Sequence, residues 1–119
     1  MEIEGSGFTV KESKFDYFFG RVSSNSKNQR RSLDNLENLK QLGIDEAVGG
    51  KKRLLEIFAE GLTAPQVGEP RSSRYGTTIV RRVEVSRMEM GAIEISYFYP
   101  NGDLFATPEV STIIVKIYK

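Results

Sequence analysis

The spacing of apolar positions changes character part-way along this chain. Four aromatics crowd into Phe15-Asp16-Tyr17-Phe18-Phe19, with Ser13 placed to cap a short helix and Gly20 placed to end it. A polar stretch, Ser23-Ser24-Asn25-Ser26, breaks the pattern. Leu33, Leu36, Leu39 and Leu42 then recur at helical intervals, with Glu37 and Lys40 between them. This predicts a second helix from about Asn28 to Leu42, closed by Gly43. Asp45 caps a third predicted helix reaching Glu60 and ending at Gly61, with Val48, Leu55, Phe58 and Leu62 on its buried side. Gly49-Gly50 weakens its first turn.

From Thr63 to Gly76, Pro65, Gly68, Pro70 and Ser72-Ser73 read as loop. Beyond that the period is two. Ile79, Val83 and Val85 share one face of a strand over Thr77–Met88, and Ile93, Ile95, Tyr97 and Tyr99 share one face of a strand over Ala92–Tyr99. Pro100-Asn101-Gly102-Asp103 predicts a tight turn. A short strand Leu104–Thr107, interrupted by Pro108, and a last strand Ser111–Tyr118 complete the pattern. Helices first and strands after predict an α+β domain: two to three N-terminal helices on a C-terminal antiparallel sheet of about four strands. Residues 1–10 read as a polar leader or linker, and 11–119 as one globular domain.

Composition narrows the chemistry. The 119 residues are 39% hydrophobic and 28% charged, enough for a single core. Formal charge is +1, so any basic binding surface must come from local arrangement. Cysteine and histidine are both absent. Thiolate nucleophiles, thiolate or imidazole metal sites, a Ser-His-Asp triad and a two-histidine ribonuclease mechanism are therefore excluded. Asp16, Asp34, Asp45 and Glu60 are scattered without the spacing of paired metal ligands. No cofactor is expected. No stretch approaches membrane-spanning length.

The remaining candidates are cations, hydroxyls and aromatics. Lys27, Asn28, Arg30 and Arg31 stand at the start of the second helix, where backbone amides favour an anion. A phosphate can dock there. The simpler reading, which the local residues favour, has Asn28 capping the helix while the cations pair with Asp34 or Glu37. Arg81 alternates onto the same face as Ile79 and Val83, where a charge must be paired, marginal or in a cleft. It either grips a phosphate or bridges to a carboxylate such as Glu94. Arg71, Arg74 and Tyr75 flank the loop serines. Tyr97, Tyr99 and Tyr118 are either base-stacking platforms or core aromatics. Ser111 and Thr112 can hydrogen-bond a phosphate or a 2′-oxygen, and Lys14 adjoins the aromatic cluster.

Together these segments resemble a known group. Lys14-Phe15-Asp16-Tyr17-Phe18-Phe19-Gly20-Arg21-Val22 is similar to the KFDYLFGRV opening of bacterial polymorphic-toxin C-terminal domains. Such domains end filamentous-haemagglutinin-like proteins used in contact-dependent growth inhibition. Ser24-Asn25-Ser26-Lys27-Asn28-Gln29-Arg30-Arg31-Ser32, followed by Gln41-Leu42-Gly43-Ile44, resembles the group's S-N-x-H-N-x-x-R-S segment and its helix ending Q-L-x-x-I-G-I. The specific likeness covers roughly the first third of the chain, and the later strands match only in order. The resemblance implies a ribonuclease of the barnase–EndoU–colicin–RelE type, commonly directed at transfer RNA. Such a domain is released from a secreted or surface-displayed parent, acts in the target-cell cytoplasm and is neutralised by a cognate immunity protein. Lys27 stands where the group has histidine, so a lysine would have to take over that role. The expected site then has Lys14, Lys27, Arg81 and Thr112 at the chemistry. Asn28, Arg31, Arg74, Tyr75, Tyr97 and Ser111 would hold the RNA. The rival readings are a non-catalytic protein- or RNA-binding module and a toxin with a non-RNA target.

Overall fold

The computed structural model describes residues 2–5, 7–20, 26–86 and 90–118, except for the side chains of Glu2 and residues 26–28. The order is β1 (Glu2–Glu4), β2 (Thr9–Lys11), α1 (Lys14–Phe18), α2 (Ser26–Gln41), a 3-10 turn (Glu46–Val48), α3 (Gly50–Gly61), β3 (Arg71–Ser73), β4 (Gly76–Val85), β5 (Gly91–Pro100) and β6 (Glu109–Ile117). The fold is α+β. One mixed sheet runs β1-β2-β6-β5-β4-β3, with β2 parallel to β6 and the other pairs antiparallel.

The sheet has six strands rather than four because short flanking pieces extend a three-stranded centre. Residues 2–11, polar in sequence, form β1 and β2 and place Phe8 and Val10 in the core. Arg71–Ser73, inside the expected loop, pairs with the start of β4. Leu104–Thr107 is not a strand. Asn101 (φ 59°) and Gly102 (φ 71°) do form the tight turn, which positive φ at both positions permits. However, the Asn101 amide donates to the Tyr75 carbonyl, and β6 pairing begins only at Glu109. Leu104 and Phe105 are left exposed on the connection.

Glycines set several helix ends, whereas Ser13, expected to cap α1, has helical backbone angles and makes no side-chain capping bond. The Gly43 amide donates to the Lys40 carbonyl and the Ile44 amide to Leu39, with Gly43 left-handed, so α2 ends in a Schellman motif. The buried face of α2 carries Ser32, Asn35, Leu39 and Leu42, not the leucine row. Steps of three residues fall about 60° short of a full turn, so Leu33 and Leu42 lie on opposite sides of the helix. Leu33 is accordingly exposed. Asp45 caps the 3-10 turn, accepting from the Ala47 amide, and α3 begins separately after left-handed Gly49. Leu54, Ile57 and Phe58 form the buried face of α3, with Leu55 and Leu62 at its margin, while Val48 is exposed.

The core lies between the helices and one sheet face. Phe58 of α3 meets Phe8 and Phe18 edge to face. Ile79, Val83, Ile93, Ile95, Tyr97, Val110, Ile113 and Val115 supply the sheet side. α1 lies against β2 and β6, α2 against β6, and α3 against β4. Because β2 pairs with β6 only at Thr9–Glu109, the rest of that β6 edge faces the helices rather than a strand.

Candidate functional site

That helix-facing edge of β6 forms one wall of a groove. Ser13, Lys14, Tyr17, Ser111 and Thr112 line a depression of about 400 Å³. Tyr17 and Thr112 also belong to an adjoining depression of about 440 Å³, with Arg31, Asp34, Asn35, Asn38 and Ile113–Val115. The two make one groove of mixed lining: α1 at one end, α2 along one side, β6 along the other.

Local structure explains why these side chains converge. Ser32 donates from Oγ to the Tyr17 carbonyl at 2.6 Å. This ties α2 to the last turn of α1 and satisfies an end-of-helix carbonyl. Asn38 reaches across from α2, its Nδ2 donating to the Val115 carbonyl of β6 at 3.4 Å. A bulge shapes the β6 wall. Ser96 pairs with Thr112 but Tyr97 pairs with Val110, leaving Ser111 as the extra residue. Its Oγ donates to the Ser96 carbonyl at 3.2 Å, filling the break in the ladder. The extra residue moves the core positions to Val110 and Ile113 and turns Thr112 outward into the groove.

Four of the expected site residues therefore meet: Lys14, Arg31, Ser111 and Thr112. Lys27 and Asn28 lie in the first turn of α2, but their side chains fall outside the described residues. The other four lie elsewhere. Arg81 is on β4, two strands from β6. Its Nη1 donates to the Ala64 carbonyl at 2.8 Å just beyond α3, and its buried Nε has no partner among the described residues. It is not the partner of Glu94. That carboxylate is held on the opposite sheet face by Arg82 at 2.6 Å and Lys116 at 3.3 Å. The hydrogen bond to Glu94 raises the Arg82 pKa further above its usual value.

Tyr97 is fully buried and offers no face for a base. Its hydroxyl donates to the Phe58 carbonyl at 2.5 Å. The Leu62 amide turns to Ala59 instead, so Tyr97 satisfies a carbonyl that the end of α3 leaves open. Burial pushes the Tyr97 phenol well above the ordinary tyrosine range. Arg74 and Tyr75 pair with each other at the exposed β3–β4 turn, guanidinium over ring at 4.8 Å, across the sheet from the groove.

Sequence reasoning missed Tyr17, Asp34, Asn35 and Asn38. The available signal was Ser32 and Asn35 occupying positions in register with Leu39 and Leu42 on a helix that otherwise buries leucine. Asn35 is 8% exposed, and its carboxamide bonds to no described residue. Among the described residues no three Asp or Glu side chains converge on a metal-sized site. None of the described helices is long and apolar enough to cross a membrane.

The fold is shared with a solved structure. A chain from the contact-dependent growth inhibition toxin–immunity protein complex of Klebsiella pneumoniae 342 superposes with a TM-score of 0.72. It is 22% identical, and the match covers 90% of this chain and 92% of that one. The two share a fold. No protein-family model and no curated protein matches the sequence.

Proposed function

We propose that this chain is the toxin domain of a contact-dependent growth inhibition system and cleaves RNA, transfer RNA being the expected target. One observation carries the reading. In a fold shared with a chain of a toxin–immunity complex, two cations and two hydroxyls on separate elements line one groove: Lys14, Arg31, Ser111 and Thr112.

The chemistry that suits these groups is attack of a ribose 2′-oxygen on the adjacent phosphorus. The P–O5′ bond breaks and a 2′,3′-cyclic phosphate and a free 5′-hydroxyl result. Arg31 holds the non-bridging oxygens, whose charge grows in the transition state. Thr112 orients the 2′-hydroxyl. Lys14 or Lys27 balances the developing charge and moves the proton from the 2′-oxygen to the 5′-oxygen. A cognate immunity protein neutralises the domain, which acts in the target-cell cytoplasm after release from a longer parent.

Controlled expression in a bacterium, followed by gel analysis of total RNA, tests this reading. Growth arrest with discrete transfer-RNA fragments is expected, and both should disappear with Arg31→Ala and with Thr112→Ala. Normal growth with intact RNA would instead make the chain a binding module. Arrest with intact RNA would point to a different target.

A further inference from the structure

The groove holds more than phosphate-binding and hydroxyl groups. Asn35 is nine-tenths buried, yet it lines the cavity and bonds to no described residue. Asn38 lies one turn further along α2 and is fixed through its Nδ2 to the β6 backbone. Asp34 and Tyr17 line the same depression. Arg31 stands one turn before Asn35, about 6 Å along the axis. That separation matches the reach of a nucleotide from its phosphate to its base.

We propose that Asn35 is the centre of a nucleobase-reading subsite, with Tyr17 as stacking surface and Asn38 and Asp34 beside it. This deepens the ribonuclease reading and rests on it. A carboxamide presents one acceptor and one donor side by side. With its oxygen turned toward the base amine, it complements a base edge that carries an exocyclic amine next to an unprotonated ring nitrogen, and the flipped orientation would instead meet uracil. Adenine and cytosine share the amine-bearing edge. Asp34 offers only acceptors, which favours an amine over the carbonyl of uracil. The ring of Tyr17 supplies a sequence-tolerant face, so discrimination falls to the amide and Asp34 together. A carboxamide that lines the groove without a partner among the described residues is what a site awaiting such an edge requires.

The test is fluorescence anisotropy of the full chain with short 2′-O-methyl oligonucleotides of A, C or U, which cannot be cleaved. Adenine or cytosine oligomers should bind about tenfold more tightly than uracil, the discrimination of one good bidentate pair. Asn35→Ala and Asn35→Leu should both bring that ratio to within about twofold, with both variants still folded. Arg31→Ala should weaken all three oligomers alike. A flat preference in the wild-type chain, or a preference kept in both Asn35 variants, overturns the subsite. So does loss of folding in Asn35→Leu, which would make Asn35 structural. If RNA is cleaved but the bases are not distinguished, only the subsite fails. If none of the oligomers binds and cellular RNA stays intact, both readings fail.

Discussion

Arg31 and Arg81 look alike in sequence and are separated by what surrounds them. Arg31 is exposed at the groove and Arg81 is bonded to the backbone beyond α3. Arg31→Ala is therefore expected to remove cleavage while leaving the urea midpoint within experimental error. Arg81→Ala should lower stability by about 1–2 kcal/mol through its lost charge-assisted bond. Tyr97 sets a second contrast. A Cβ at Gly61 would come within 2.2 Å of the Tyr97 hydroxyl, so Gly61→Ala should cost about 1–3 kcal/mol by overpacking. The raised Tyr97 pKa also has a sign. The unfolded tyrosine ionises near its ordinary value of 10.0 while the folded one resists, so the stabilising contribution is complete below that pH. It is lost as pH climbs above it, by at most about 1.4 kcal/mol per unit. Denaturation curves from pH 8 to 11.5 should show a fall that Tyr97→Phe reduces.

Elements differ in how local their causes are. The C-terminal ends of α1 and α2 and the central strands β4 and β5 follow from Gly20, Gly43 and alternation, all visible within a few residues. β1, β2 and β3 are three residues each and carry no such period. β2 and β3 exist because a longer strand offers its edge, β1 because it pairs with β2, and β2 also because Phe8 and Val10 find the core. Their importance is accordingly greater than their length suggests. Phe8→Ala should cost about 3–5 kcal/mol, because it removes an aromatic packed on Phe58. Removing residues 1–11 should lower Tm at least as far. A truncated chain that melted like the full one would show β1 and β2 to be dispensable.

At the scale of the whole molecule, a formal charge of +1 gives RNA no general attraction. Binding should rest on the groove cations alone. With about three phosphates neutralised, the slope of log K against log salt should be near −2 for single strands. Anisotropy titrations between 50 and 300 mM salt would measure it, and a much steeper slope would mean a larger basic surface than the groove. The sequence by itself determined the α+β class, the three helices, the central strands and the absence of imidazole and thiolate chemistry, because these depend on local period, capping and composition. It also singled out Lys14, Arg31, Ser111 and Thr112 as chemically capable. Only the tertiary structure decided which capable residues meet. A bulge at Ser111 turned Thr112 into the groove, α2 rotated Asn35 inward rather than Leu33, and β4 carried Arg81 away. Residues far apart in the chain become neighbours only through packing and register, and neither leaves a short-range trace in the sequence.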